Sequence, residues 1–312
     1  MNRRTFLQSI PPALLLARSL RAQAYSPTDQ PTLSITIDDP NINPSPLLTP
    51  TERRDKMLAA LDKHGIKAAL FVCGKRVDSE EGKALIAGWD NAGHLICNHS
   101  YSHNYYHAKS MTLEAFSADM LHGDEIIKGY VHYTKLFRFP YLKEGDTTEK
   151  RDGMRAFLAS RGYANGSVSL DASDWAVDER LRAALAKDAK IDLRPYKEFY
   201  IKHLLDRAMF YDGLADKVVG RKVTHTMLLH HTLLNALFLG DVLDAFVARG
   251  WQLTSAETAF RDPMFKTLPN VLPAGESIVW SLAKESGKYD NILRYPGEDE
   301  SYEKPEMDRL GL

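Results

Sequence analysis

Short apolar, β-branched runs alternate with amphipathic helical patterns along most of this chain, and several of the runs end in polar, titratable residues. That alternation is the strongest constraint on the fold. Strand and helix in repeated succession build a parallel sheet covered by helices, open or closed into a barrel. Thr32–Asp38 reads as the first strand, rich in Ile and Thr and ending in two acids. Thr49 follows as an N-cap, Pro50 suits the first helical position, Glu52 completes a capping box, and Gly65 stops the helix. Residues 67–73 and 94–97 read as strands, separated by a helix that Ser79 caps and that ends near Gly93. Thr112 opens a helix with Leu113, Phe116, Met120 and Ile127 roughly on one face. A strand over 136–139, a helix over Thr148–Ser160 and a strand over 163–170 come next. Helices near 177–189 and 196–219, a strongly apolar strand over Thr224–His230, a helix near 235–249 and a last strand over 251–254 complete the pattern. After Asp262 the pattern fades into a tail rich in Pro, Gly and charge.

Length and composition narrow the class further. The 312 residues are 44% hydrophobic and 26% charged, ordinary globular usage that excludes disorder, collagen or coiled coil for the whole. A net charge of −1 carries no basic surplus of the kind nucleic acid attracts. The first 24 residues contain Arg3, Arg4, Arg18 and Arg21 and no acid, so the remainder is mildly acidic. Arg3-Arg4 precedes a short apolar stretch, and Ala22-Gln23-Ala24 has the small-x-small form of a cleavage site. Paired arginines read as a twin-arginine export address. The stretch is too short for a comfortable membrane anchor and contains Pro11, Pro12 and Arg18. The expectation is a signal peptide over 1–24, a catalytic domain over 25–261, a C-terminal extension over 262–312, and a periplasmic or secreted protein with no stable membrane insertion. Cys73 and Cys97, both ending strand-like runs, read as buried free thiols, with one disulfide possible in an oxidising compartment.

Functional side chains in parallel α/β folds gather where strands end, and five clusters sit there. Asp38-Asp39 ends the first strand; adjacent acids point in different directions, so one can bind a metal while the other faces a reacting centre. The bland alternative is a turn or capping pair. His99 and His103 follow the third strand at a spacing that can share one cation if the segment is helical or turn-like. Eleven histidines make that spacing a weak signal alone, and His103 and His107 share it too. Arg138-Phe139-Pro140-Tyr141 offers a guanidinium that can fork onto a carboxylate, or a surface salt bridge. Asp171-Ala172-Ser173-Asp174-Trp175 offers an acid able to bond a histidine, beside an indole able to face a sugar; the alternative is a loop with a core tryptophan. His230, at the end of the last strong strand, is available as a general acid or base.

In this order, the five clusters resemble the motifs of the polysaccharide deacetylase family, carbohydrate esterase family 4, also called the NodB-homology domain. Thr36-Ile37-Asp38-Asp39-Pro40 resembles TFDDG; His99 to His103 resembles H-S/T-x-x-H; Arg138 to Tyr141 resembles R-x-P-Y; Asp171 to Trp175 resembles D-x-x-D-W; Met227 to His230 resembles L-x-L-H. The resemblance covers about 33–260 and implies a distorted (β/α) barrel. It implies Asp39, His99 and His103 as ligands of one divalent metal, zinc above cobalt, nickel or manganese. It implies Asp38 as general base oriented by Arg138, the backbone N–H of Tyr141 as oxyanion donor, and His230 as general acid set by Asp174. Tyr141 and Trp175 would line a carbohydrate site. The activity implied is release of acetate from acetylated peptidoglycan, chitin oligomers, xylan or exopolysaccharide. Two rival readings remain: hydrolysis of an O-acetyl, formyl or small-molecule amide, and a non-catalytic, metal-containing glycan-binding module. This chain departs from the pattern at Pro40, which stands where the family usually has Gly, and in the long helical stretch over 177–221.

Replacing Arg3 and Arg4 by Lys should block twin-arginine export, measured as loss of mature protein outside the cytoplasm. Normal export of that variant would point to the general secretory route or to no signal.

Overall fold

The computed structural model describes residues 30–294 and 298–312. The twin-arginine segment lies outside them. The strands are β1 (Thr32–Asp38), β2 (Ala69–Val72), β3 (Leu95–Asn98), β4 (Tyr133–Phe137), β5 (Lys143–Gly145), β6 (Ala164–Asn165), β7 (Thr224–His230), β8 (Gln252–Leu253) and β9 (Ala274–Gly275). The helices are α1 (Pro50–Lys63), α2 (Glu80–Asn91), α3 (Leu113–Ile127), α4 (Thr148–Ser160), α5 (Asp174–Lys187), α6 (Arg194–Val219), α7 (Leu233–Ala248), α8 (Ala256–Ala259), α9 (Ile278–Ser286) and α10 (Glu300–Leu310).

The main sheet is parallel, in the order β6-β4-β3-β2-β1-β7, with the short β8 beside the start of β1. It curls. Residues 164–170 begin on one edge, where β6 pairs with β4, and end on the other, where Leu170 bridges Met227 of β7. The Gly166 N–H donates to Phe137 O, whereas the Ser169 and Leu170 N–H groups donate to Thr226 O. One segment thus joins both edges, which makes a distorted barrel. The continuous strand expected over 163–170 is reduced to two paired residues and a bridge, because its backbone changes partners midway. Barrel closure, not β propensity, decides that path.

Local signals match the helix ends. Thr49 and Glu52 form the reciprocal capping box of α1, and Ser79, Thr112, Thr147 and Thr232 each accept a first-turn N–H. The start of α5 differs from the sequence reading. It begins at Asp174, so Asp174 and Trp175 occupy its first turn; the N-cap Ser173 is left-handed (φ 48) and makes no side-chain cap. The apolar faces of α1, α2, α5, α6 and α7 bury one large core against the sheet, and a second cluster, which includes Phe116, Phe137 and Phe139, fills the space beneath α3 and α4. Cys73 and Cys97 are both free and buried.

The C-terminal tail also takes defined structure. β9 pairs antiparallel with β5, α9 packs on α6, and Arg155 links Glu144 to Pro269 O. These contacts bring the tail to the end of the barrel where the five polar clusters lie.

Register sets that end. β1 pairs with β7 so that Asp38 stands beside His230, and with β2 so that Asp38 stands beside Phe71. β2 and β3 pair Val72 with Asn98, and β3 and β4 pair Asn98 with Phe137. The loop after β3 is held against α3: a Cβ added at Gly123 would come within 2.6 Å of the Ser100 backbone. Gly123→Ala should therefore force the 99–103 loop outward and cost about 1–3 kcal/mol. The measure is a lower urea midpoint at unchanged m-value; a wild-type midpoint would show that the loop yields freely.

Candidate active site

Arg138 is the deepest part of the site. It directly follows β4 and is 0% exposed. Its Nη1 donates to Asp38 Oδ1 at 2.5 Å and to Thr36 Oγ1 at 2.9 Å; its Nε donates to Gly166 O at 2.8 Å. Its guanidinium carbon lies 3.8 Å from the centre of the Phe71 ring. One side chain therefore ties β4, β1 and the closing segment across the barrel interior. Its alternative as a surface salt bridge is excluded by that burial. Burial pushes the Asp38 carboxyl up to about 6, against the lowering effect of Arg138 and His230.

Asp39, one residue on, behaves in the opposite way. It is left-handed (φ 59), a conformation that Asp tolerates better than most side chains. It turns its carboxylate toward the loop after β3. His103 Nε2 lies 3.4 Å from Asp39 Oδ2, and Arg76 Nε lies 3.2 Å from Oδ1. Burial alone would raise its pKa, but His99, His103 and Arg76 outweigh that and hold it below the ordinary carboxylate range.

The histidine spacing is met by a turn, not a helix. Ser100 (φ 65) and His103 (φ 57) are left-handed. Asn98 Oδ1 accepts the Ser100 N–H at 2.7 Å, and the Asp119 carboxylate accepts the Tyr101 and Ser102 N–H groups. The two rings stand 4.9 Å apart, nearly perpendicular. His99 Nδ1–H donates to Arg138 O at 2.8 Å, which fixes its tautomer and leaves the Nε2 lone pair free for the site. Burial lowers both histidines to about 4, so both rings are neutral.

One donor atom from each of Asp39, His99 and His103 lies within 4.8 Å of the others. Asp39 Oδ1 accepts no hydrogen bond despite being buried. A carboxylate and two neutral imidazoles, one with its second nitrogen already bonded, form a donor set suited to a divalent cation. His107 does not join them; its Nε2 lies between the Gly145 N–H and Ala274 O.

His230 stands beside Asp38 on the neighbouring strand. Its Nδ1 is 2.6 Å from Asp174 Oδ1, and its backbone N–H donates to Asp174 Oδ2 at 2.8 Å. Burial disfavours the charged ring, but Asp174, with Asp38 and Asp39 behind it, outweighs this and raises His230 to about 9. Asn235 Nδ2 donates to Asp174 Oδ2 at 2.6 Å and to His230 O at 2.9 Å, and Tyr200 Oη donates to Asn235 Oδ1 at 2.5 Å. Asn235 and Tyr200 carry no motif; each sits within an apolar helical pattern that reads as core.

Asp38, Asp39, His99, His103 and His230 line one cleft of about 670 Å³. Tyr141, left-handed (φ 57) and 56% exposed, presents its ring edge to His103 at 4.6 Å and to Tyr105 at 5.6 Å. Trp175 lines the other wall. The tail contributes Glu276, paired with Lys143, and also Glu298 and Asp299. The sequence reading missed these three because they lie outside any strand–helix repeat. All nine residues singled out from the motifs, Asp38, Asp39, His99, His103, Arg138, Tyr141, Asp174, Trp175 and His230, are brought to this end of the barrel. Two of them, Arg138 and Asp174, lie beneath the cleft surface, bonded to Asp38 and His230.

Comparison with known proteins agrees with this arrangement. Residues 25–157 match the family model described as polysaccharide deacetylase. That span holds Asp38, Asp39, His99, His103, Arg138 and Tyr141; Asp174, Trp175 and His230 join them through the fold. No curated protein matches the chain. Among solved structures, a mutant of a CE4 family pseudoenzyme from Bacillus anthracis with restored enzymatic activity is 18% identical. The match covers 75% of this chain and 72% of that one, with a TM-score of 0.50, a likeness of fold. The family 4 carbohydrate esterase from Streptomyces lividans is 19% identical over 72% and 91% of the two chains (TM-score 0.46). The peptidoglycan deacetylase PdaC from Bacillus subtilis is 20% identical over 74% and 90% (TM-score 0.48). Residues 25–157 thus resemble the polysaccharide deacetylase family.

Proposed function

We propose that this enzyme is a metal-dependent hydrolase that removes acetyl groups from acetylated carbohydrate outside the cytoplasm. The observation that carries the reading is an acid and a base each oriented by its own buried partner. Asp38, held by Arg138, and His230, held by Asp174, stand on neighbouring strands at the Asp39, His99 and His103 donor set. Both are raised, Asp38 to about 6 and His230 to about 9, so between those values the carboxylate is ionised and the imidazole protonated, as a base and an acid must be. A non-catalytic glycan-binding module has no need of two such oriented pairs.

Asp39, His99 and His103 would hold the divalent cation. Zinc is the best match to one carboxylate and two imidazoles, ahead of cobalt, nickel or manganese. When bound, such a cation polarises the acyl carbonyl and lowers the pKa of a water. Asp38 takes that water's proton as the oxygen adds to the carbonyl carbon. Arg138 holds the carboxylate in place and ionised against burial. The Tyr141 N–H donates to the developing oxyanion. His230 gives its Nε2 proton to the leaving nitrogen or oxygen as the C–N or C–O bond breaks, releasing acetate. Asp174 keeps the ring protonated and oriented. Trp175 offers a face for the sugar. The twin-arginine reading of Arg3-Arg4 supports export in folded, metallated form.

Acetate release by the mature protein, chelated and then resupplied with zinc or cobalt, tests the activity. The panel holds chitin oligomers, acetylated xylan and peptidoglycan. Metal-dependent release from any of them supports the reading; no release from all, with metal bound, shifts it to a small-molecule amide or a glycan-binding role. His99→Ala and His103→Ala should each lose metal and activity together; stoichiometric metal retained in both variants would sink the ligand assignment. The acid must carry its proton, so activity should fall as pH rises through about 9, where His230 deprotonates. Asp174→Asn removes the charge that raises it, so the alkaline limb of the kcat profile should move to lower pH, and kcat should fall about 10²-fold or more. An unmoved limb would remove His230 from the acid role.

A further inference from the structure

Tyr141 and Leu142 are consecutive left-handed residues, both at φ 57. Neither is Gly, Asn or Asp, so each conformation is costly and persists only where the surroundings enforce it; such residues gather at functional sites. Their own turn supplies part of the hold. The Leu142 N–H donates to Phe139 O at 2.9 Å, and the Lys143 N–H donates to Pro140 O. Leu142 also packs in a small buried cluster with Val168 and Leu228. The rest of the hold comes from the C-terminal tail, far along the chain.

The Leu142 carbonyl accepts the Glu276 N–H at 3.0 Å. β5 begins at the next residue and pairs with β9, with Lys143 opposite Gly275. The Lys143 ammonium pairs with the Glu276 carboxylate at the cleft wall, both side chains largely buried. This approach requires Gly275. It stands at φ 134, and a Cβ there would come within 2.0 Å of Leu142 O. The tail is anchored in turn. Ser281 Oγ donates to Gly275 O, the Ile278 N–H donates to Val168 O at 2.8 Å, and Arg151 Nη1 donates to Asn270 Oδ1 at 2.7 Å.

In the reaction proposed above, the Tyr141 N–H donates to the developing oxyanion. Its direction follows from the two left-handed residues; relaxation of either to the right-handed region would swing the turn and re-aim that N–H. A donor misplaced by about 1 Å loses much of its effect on the transition state. We propose that the tail is a clamp on the oxyanion donor, with β9 holding Tyr141 and Leu142 left-handed and Glu276 as the positioning residue. The inference rests on the deacetylase reading of the site. The clamp acts through Leu142 and Lys143, so its loss falls on the transition state and leaves the metal ligands alone.

The test is calorimetric binding of two probes to the zinc-loaded mature protein: methylphosphonate, a tetrahedral stand-in for the reacting acetyl group, and acetate, the planar product. The wild type should bind methylphosphonate the more tightly. In Gly275→Ala, whose Cβ displaces β9 from Leu142, that preference should fall about tenfold with bound zinc unchanged. On whichever glycan of the panel releases acetate, kcat should fall by a like factor at unchanged KM. Glu276→Gln keeps the backbone bonds and removes only the charge paired with Lys143. It should fold as the wild type does and show the same loss to a smaller degree, and it carries the test should Gly275→Ala not fold. A preference that stays at the wild-type value in the folded variants, even with a lower urea midpoint, would overturn the clamp and make the tail a purely structural strap; acetate release by the wild type would then leave the deacetylase reading standing. No preference for methylphosphonate in the wild type would overturn both, since there would be no oxyanion donor to hold. The expected losses in binding, with no acetate released from any glycan, would support the clamp and count against the deacetylase reading alone.

Discussion

The buried ion pair between Arg138 and Asp38 is the interaction on which the rest of this structure depends. Two charges in a barrel interior are stable only with each other and with further hydrogen bonds, and removing one partner of such a pair costs about 3–5 kcal/mol. Arg138 donates those bonds to Thr36 on β1 and to Gly166 on the segment that closes the barrel, and its guanidinium lies on Phe71 of β2. The residue that orients the proposed base is thus also the residue that joins the two edges of the sheet. Closure and site geometry have one cause, so neither can drift without the other.

Adjacent acids acquire different characters from this frame. Asp38 lies within β1, faces inward and is pushed up by burial; Asp39 turns outward at a left-handed residue and is held down by two imidazoles and Arg76. Separation by a single peptide, combined with opposed directions, lets neighbouring carboxylates serve as base and ligand. His230 is treated likewise through Asp174, Asn235 and Tyr200, a chain of side chains running back into α6 and α7. The long helical stretch between the last two motifs is therefore part of the support of the site: α5 carries Asp174 and Trp175, and α6 carries Tyr200.

Legibility in the sequence followed the range of the forces involved. The starts of α1, α2 and α3 could be read because Thr49, Ser79 and Thr112 cap neighbours within a few residues. β1 and β7 could be read because each is a continuous apolar run. The 163–170 segment was misread as one strand because its pairing is shared between distant partners, β4 and β7. The tail had no periodicity to read, since its order comes from β5, α4 and α6 rather than from its own pattern. Arg53 carries no motif; only the turn that it clasps shows its burial.

The sequence alone determined the alternation of strand and helix, the polar residues at strand ends, and the order of five motifs that resemble those of one family, because each is written in nearest neighbours or in short spacings. Tertiary structure alone decided which edges meet, that Arg138 is buried rather than exposed, that Asp174 reaches His230 across 56 residues of chain, and that Glu276 and Arg53 enter the same cleft. Those outcomes depend on register and packing between segments far apart in the chain, and no local pattern encodes such a distance.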